Sequence, residues 1–481
     1  MAFLFFDRLN TTFSVFDHAA GFTNFVSILK HIMMKSKLLL LVALLLMAAN
    51  VQSQCWQQIA AGGLHTMGLK ADGSLWAWGS GFLGQQGTGF FGGSATMYRV
   101  GTENNWAFVD ACENQTFGIK TDQTLWAWGD NMYGRLGDGT STNRNYPVQI
   151  GESAWLTVSS GYSFTLAIKA DGTLWGWGRN DGYALGIGVN TTPWSPVQIG
   201  NDNNWAKVSA GGSGLAIKND GTLWGWGSNY LGVLGLGDQA VRMVPTQIGT
   251  DTWATVAAGP NHTMAIRSDG TLWCWGDNYW GEVGNNSNDI QLTPIQIGTE
   301  NNWKSVSAGE QTSFALKNNG TIWTWGKNGS FQSGDGTLTM YRIPHQASED
   351  TDFASINAGM AHNTAVKMNG NGYAWGKNDQ GQAAYTPLVN SPFVGRIECA
   401  QSLSTENFDA VKFQFYPNPT SGMLFCNVAV KQATIYTMQG QSIGVAFDSN
   451  RTDVSSLAAG IYLIHGTDSN GNAFSEKFIK E

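Results

Sequence analysis

An aromatic residue followed by a short apolar stretch and a turn of small residues returns seven times in this chain. The openers are Trp56, Trp106, Trp155, Trp205, Trp253, Trp303 and Phe353, spaced by 50, 49, 50, 48, 50 and 50 residues. Regular self-similarity on this scale marks an array of stacked units rather than independent domains. The seven units cover about residues 56 to 399. Each contains a hairpin. In the third, Thr165–Lys169 leads through Ala170-Asp171-Gly172-Thr173 into Leu174-Trp175-Gly176-Trp177-Gly178. Strand alternation places Trp175 and Trp177 on one face, with Leu174 and Gly176 on the other. Asp-Gly or Asn-Gly turns, which accept positive φ at little cost, recur at Asp72, Asp171, Asp220, Asp269, Asn319 and Asn369. Only the second unit departs, with Asp122-Gln123.

Composition agrees with an all-β chain of many tight turns: there are 61 glycines and 21 tryptophans, and 13% of residues are charged. A unit of this length with four short strands cannot bury both faces of its own sheet, so it must stack on neighbours. A β-solenoid would use shorter rungs, and separate tandem domains would each be too small for a core. The expected fold is a seven-bladed β-propeller followed by a small C-terminal β-sandwich. Both paired tryptophans of each unit are expected to fill the core between blades.

The run from Ala258-Gly259-Pro260-Asn261-His262 to Leu272-Trp273-Cys274-Trp275-Gly276-Asp277-Asn278 resembles the repeat of the regulator-of-chromosome-condensation propeller family. Gly134-Arg135-Leu136-Gly137-Asp138-Gly139 does so too. The resemblance spans all seven units. Tyr183 and Phe331 replace the first glycine of the glycine-rich segment in the third and sixth units, so those two loops are expected to change conformation.

Residues 1–32 read as a non-native upstream extension, with translation expected to begin at Met33 or Met34. Residues 33–53 then form a signal peptide, with Lys35 and Lys37 ahead of the apolar run Leu38–Ala49 and cleavage before Gln54. That run is too short to span a bilayer comfortably, so the chain is not expected to be membrane-spanning. The propeller follows at 54–399, then a linker at 400–412 and a C-terminal secretion and sorting domain at 413–481. Export permits disulfides. Cys399 falls close to the place in the repeat frame that Cys55 occupies, so closing the ring would make Cys55 and Cys399 neighbours and a disulfide candidate.

The tail contains Phe415-Tyr416-Pro417-Asn418-Pro419-Thr420-Ser421-Gly422, a central turn through Gly440, the block Asp453-Val454-Ser455-Ser456-Leu457-Ala458-Ala459-Gly460-Ile461-Tyr462, and a basic end with Lys477 and Lys480. It resembles the C-terminal sorting domain of the type IX secretion pathway of Bacteroidetes-type bacteria. The resemblance assigns the sorting signal to Pro417, Asn418, Pro419, Gly422, Gly440, Asp453, Leu457, Gly460, Tyr462, Lys477 and Lys480. It implies delivery to the periplasm by the signal peptide, reading of the tail by the outer-membrane secretion machinery, and a propeller left at the cell surface or released.

Trp194, Trp280, Tyr133, Tyr230 and Tyr279 lie outside the paired positions, in connecting segments, and are the ligand-contact candidates. His65, His262 and His362 share one repeat position that holds Gln115 and Phe164 in other units. A structural hydrogen bond is expected there rather than a metal. No catalytic constellation stands out and no cofactor is implied. The net charge of −8, with no Lys/Arg cluster beyond the N-terminal segment, argues against nucleic acid as a partner. The expected function is a secreted or cell-surface binding propeller with a protein or glycan ligand. The alternatives are a polysaccharide-acting enzyme or an inhibitor of a secreted enzyme. Nucleotide exchange on a small GTPase, which the family resemblance raises, comes last because export puts the chain in the wrong compartment.

Overall fold

The computed structural model describes residues 55–384, 390–397, 415–426, 429–437, 441–444, 447–468 and 473–481. The readings placed on 1–53, Cys399, the linker and Gly440 lie outside these residues. Two compact units divide the chain at Ala400 and Gln401.

In the first unit, each sequence repeat folds as four antiparallel strands in chain order. The third repeat shows the pattern, with Trp155–Ser160, Phe164–Lys169, Leu174–Gly178 and Val197–Gln198. The fourth and fifth repeats share a single strand, Arg242–Ala258, which ends one sheet and begins the next. Their openers stand 48 residues apart, so the connector stays extended instead of looping out. Among the described residues the only helical piece is a 3-10 turn at Met132–Gly134. We read the seven four-strand sets as the blades of one closed propeller.

Two contacts made in every repeat explain why the sets stack, and both also join the last set to the first. Each opener's backbone N–H donates to a turn carbonyl of the preceding repeat, as in Trp205 to Gly172 at 3.1 Å, and Trp56 closes the ring onto Gly370 at 2.9 Å. The second tryptophan of each pair donates its Nε1–H to a loop carbonyl of the preceding repeat. Trp177 reaches Arg135 at 2.9 Å and Trp226 reaches Ala184 at 2.9 Å, while Trp78 reaches Gln382 at 3.0 Å across the closure. Gly137 lies over the Trp177 ring, where a Cβ would sit 2.6 Å from Nε1. That approach allows no side chain.

The paired tryptophans are not equivalent. Trp78, Trp128, Trp177, Trp226, Trp275, Trp325 and Trp375 are fully buried, as expected of core. Their partners are half-buried. Trp175 rests under Lys169, whose Nζ lies 3.6 Å from the ring centroid, and its Nε1–H donates to Thr173 Oγ1 at 2.8 Å. Thr173 in turn donates to Asp171 at 2.6 Å. This Asp–Ser/Thr–Trp chain recurs in other repeats, as at Asp72–Ser74–Trp76 and Asp269–Thr271–Trp273. The hairpin turn therefore braces the first tryptophan, while the neighbouring blade buries the second.

The exceptional loops keep the common shape. Tyr183 and Phe331 adopt φ of 58° and 63°, beside 68° for Gly134 and 72° for Gly232, and the turn bond from Tyr183 N–H to Asn180 O persists at 2.9 Å. The expected change of conformation does not occur. A buried Asn at each loop base holds the backbone instead. Asn180 Oδ1 accepts from Leu185 N–H at 2.9 Å, as Asn229 Oδ1 does from Leu234. These bonds outweigh the ~1–2 kcal/mol that a left-handed side-chain residue costs. Gln123 takes the glycine's place in the second hairpin in the same way, at φ 67°.

The second unit has two antiparallel sheets. One holds Phe415–Tyr416, Met423–Cys426 and Arg451–Asp453, and the other holds Ser442–Gly444, Val430–Thr437, Gly460–Asp468 and Ala473–Lys480. Phe415, Leu424 and Cys426 from the first share a core with Ile435, Tyr462, Ile464 and Phe478 from the second. We read this pair of sheets as a small β-sandwich.

Candidate binding face

Strand direction decides which loops share a face. The first strand of each blade ends in a small-residue turn; the second returns, and the third ends beside that turn again. The link is direct: Asp277 N–H donates to Asn261 O, and Arg179 N–H donates to Ser163 O. The long third-to-fourth loops therefore surround the ends of the first strands. Those ends meet at the axis, where Gly62, Glu113, Tyr162, Gly211, Pro260, Glu310 and Met360, one residue from each repeat, line a single cavity.

Side-chain to backbone hydrogen bonds between successive blades hold this mouth at five of the seven junctions, the first and fifth repeats having Ala60 and Ala257 at the accepting position. Ser159 Oγ accepts from Ala210 N–H at 3.0 Å, Ser209 from Ala258 at 2.9 Å, and Ser307 from Ala358 at 2.9 Å. Asn357 Oδ1 accepts from Ala61 N–H at 2.7 Å and closes the last repeat on the first. The second repeat supplies a carboxylate instead. Asp110 accepts from both the N–H and the hydroxyl of Ser160, at 2.7 and 2.5 Å. Burial raises the Asp110 pKa against those bonds. Glu113 is also raised by burial, although Arg135 Nη1 stands 3.7 Å away and opposes the shift. Burial, then the nearby Asp110 and Glu113, pushes the Cys112 thiol up. Glu310 and Tyr162 complete an acidic, partly apolar mouth.

The loops around the mouth expose large apolar groups. Tyr230 and Phe90 are each 76% exposed, and Phe82, Phe91, Met132, Tyr279 and Leu338 are exposed as well. All lie in third-to-fourth loops. The five aromatics expected to contact ligand fall on this face, but they do not form one cluster. Tyr133 stacks near Arg179 at 5.1 Å, and Trp194 covers Gly134, so both knit the second and third repeats. Trp280 is half-buried beneath Tyr279, at 5.1 Å between rings, with Lys327 on its other side at 5.2 Å. Tyr230 and Tyr279 are the most exposed of the five, at 76% and 66%. Sequence reasoning passed over Phe82, Phe90, Phe91 and the mouth. A usable signal existed: Phe90-Phe91 is flanked by Gly89, Gly92 and Gly93, and Glu113 and Glu310 stand where no other unit has a charged residue.

The three histidines bridge blades. Thr116 Oγ1 donates to Gln85 O at 2.9 Å, so its one proton is used and it must accept from His65 Nε2–H at 2.9 Å. Ser313 and Thr66 play the same part for His262 and His362. Among the described residues no group of three or more His, Cys, Asp or Glu gathers as a metal site. Cys55 carries a disulfide, whereas Cys112 and Cys274 are free thiols.

In the second unit, Asn418 bonds to the backbone of Lys477 and Ile479, and Asp453 accepts from Ser455 N–H at 2.8 Å. Gly422 O accepts from Val454 N–H at 2.8 Å, and Leu457 packs on the core. Tyr462 is buried, donates to Ala458 O at 2.9 Å and stacks on Phe478. Lys477 is exposed and Lys480 is buried, while Pro417 and Pro419 flank Asn418 on the surface.

Family comparison is decisive at this point. The regulator of chromosome condensation (RCC1) repeat matches residues 122–168, 171–217, 220–266 and 269–316. A second description of the same repeat matches 56–85, 156–183, 253–281 and 303–332. The secretion system C-terminal sorting domain matches 414–481. The chain carries RCC1 repeats and a secretion sorting tail. Yeast RCC1 (Prp20) bound to Kap60 shares the fold with a TM-score of 0.61 at 18% identity, covering 76% of this chain and 88% of that one. Human WBSCR16 has a TM-score of 0.57 at 20% identity, covering 63% and 85%. Prp20p from Saccharomyces cerevisiae has a TM-score of 0.56 at 20% identity, covering 63% and 80%. No curated protein matches the chain. The RCC1-type propeller is generally a binding or exchange-factor fold rather than a catalytic one, and the sorting tail supports export to the cell surface. No helix among the described residues is long and apolar enough to cross a membrane.

Proposed function

We propose that this chain is an exported RCC1-repeat binding propeller that holds a protein partner on its loop face. The observation that carries the reading is the set of exposed Phe82, Phe90, Phe91, Met132, Tyr230 and Tyr279 in third-to-fourth loops, on the side of the blades where the acidic mouth opens. Exposed apolar groups gathered on one face mark an interaction surface. Phe, Met and Leu offer no hydrogen-bonding group to a sugar, so their abundance beside two exposed tyrosines favours a protein over a glycan. The route follows from the two ends of the chain: a signal peptide to the periplasm, then reading of the tail by the outer-membrane machinery. The Cys55–Cys399 bridge belongs to the same proposal as a staple of ring closure in an oxidising compartment.

Two experiments test this reading. Deleting residues 413–481 is expected to leave a soluble propeller retained inside the outer membrane, and normal surface delivery of the truncated chain would overturn the export half. For binding, the mature propeller captures partners from the native medium beside a Phe90→Ser/Phe91→Ser variant. Central interface aromatics each contribute about 1–2 kcal/mol or more, so affinity for the captured protein is expected to fall at least about ten-fold at unchanged thermal stability. Capture of a glycan, or of a protein whose affinity ignores the substitutions, would sink the assignment of this face.

A further inference from the structure

The last strand of the sorting domain, Ala473–Lys480, pairs on one side with Gly460–Asp468. Its other side is a sheet edge, whose unpaired backbone groups ordinarily invite slippage or a foreign strand. Here Asn418 occupies that edge. Its Oδ1 accepts from Ile479 N–H at 2.9 Å, and its Nδ2 donates to Lys477 O at 3.1 Å. One side-chain amide thus makes both bonds that a neighbouring strand's peptide would make. Thr420 extends the contact: its N–H donates to Ile479 O at 2.8 Å, and its carbonyl accepts from Glu481 N–H at 2.9 Å. Thr420 is itself buried and donates its hydroxyl to Met423 O at 3.0 Å. The clamp is therefore anchored in the sandwich.

The clamped strand presents a defined surface. Ile479 and Ile461 are cross-strand partners, and both are exposed. Lys477 is exposed opposite Leu463. We propose that Asn418 is a positioning residue of the sorting signal. It holds Lys477–Glu481 in register so that Lys477, Ile479 and Ile461 form one surface for the export machinery. This rests on the sorting reading of the tail and adds a division of labour: Asn418 acts on the strand, and the strand is what is read.

The test uses the full precursor chain. In Asn418→Ala, amide exchange at Ile479 is expected to accelerate about ten-fold or more while Ile464 in the core stays protected, and surface delivery is expected to fall several-fold. Asn418→Asp keeps the acceptor but turns a carboxylate toward Lys477 O, and is expected to loosen the strand as well. Lys477→Glu/Ile479→Ser is expected to leave exchange unchanged and still reduce delivery. Lost delivery in Asn418→Ala with unchanged Ile479 exchange would overturn the proposal, because Asn418 would then be read directly. Normal delivery with a loosened strand would overturn it too. Failure of the sorting reading itself shows differently, as normal delivery of a chain lacking 413–481.

Discussion

Replacing Trp177 by Ala is expected to destabilise the propeller by about 4–5 kcal/mol, and replacing Trp175, two residues earlier on the same strand face, by about 1–2 kcal/mol. The difference comes from what each ring touches. Trp177 is fully buried, packs against Trp155 at 5.8 Å and Phe117 at 6.2 Å between ring centroids, and joins two blades through Arg135 O. Its loss leaves a cavity between blades and removes the indole's bond to Arg135 O, which keeps Thr165 Oγ1 as a donor, and Gly137 above it has no side chain to move in. Trp175 is half-buried; its loss removes the stack with Lys169 and one bond to Thr173. Denaturant unfolding of the two single variants separates the cases. Equal losses, or a larger loss at Trp175, would contradict the division of the pair into braced and buried members.

That division also marks the limit of what the sequence reveals. The period, the Asp-Gly turns and the strand alternation follow from local rules repeated in every unit, so the blade pattern could be read from residues alone. Alternation puts Trp175 and Trp177 on one face but cannot say how deep each lies, because depth depends on where the neighbouring sheet ends. The loop glycines show a similar limit. A substituted glycine normally signals altered backbone, yet Tyr183 keeps the left-handed turn because buried Asn180 accepts from Leu185 N–H. That Asn recurs in six repeats, a signal as regular as the tryptophans but easily taken for ordinary loop polarity.

The candidate face was legible only in part for a different reason. Tyr230 and Tyr279 stand in variable loops and could be singled out as aromatics without a repeat duty. Asp110, Glu113, Tyr162 and Glu310 come from three different units. They share a cavity only because the ring closes, and closure is a tertiary property. In the tail the motif was plain but its work was not. Pro-Asn-Pro reads as a turn, whereas Asn418 serves as a substitute strand for residues about sixty positions later.

Acidification from pH 6.5 to 5 is expected to weaken the propeller. Burial holds the pKa of His65 and His262 at about 4, and burial together with the charge of His65 holds that of His362 at about 3, against an ordinary 6.5. The geometry explains the resistance. Ser313 donates to Glu282 O, so His262 already carries its proton on Nε2, and a second proton would sit on the buried Nδ1, which has no partner. The sign follows from linkage. Below pH 6.5 the unfolded chain takes up protons at these three sites and the folded chain does not, so stability falls with pH until the folded values are reached. Each site contributes about 1.4 kcal/mol per pH unit. Raised carboxylates work the other way: Glu282, lifted to about 7 by burial and then by Asp277, binds a proton in the folded state first, and Asp110 and Glu113 shift in the same direction. Glu282 offsets about one of the three histidines, which leaves a net loss of at most about 3 kcal/mol per pH unit, reduced further by Asp110 and Glu113. Denaturant midpoints at pH 7, 6 and 5 measure that slope. His262→Gln is expected to reduce it by about one proton while keeping the fold, since Gln115 fills the same repeat position and donates to Gly161 O at 2.6 Å. A stability that stays flat or rises on acidification, or an unchanged slope in His262→Gln, would show that these imidazoles are not what makes the closed ring sensitive to acid.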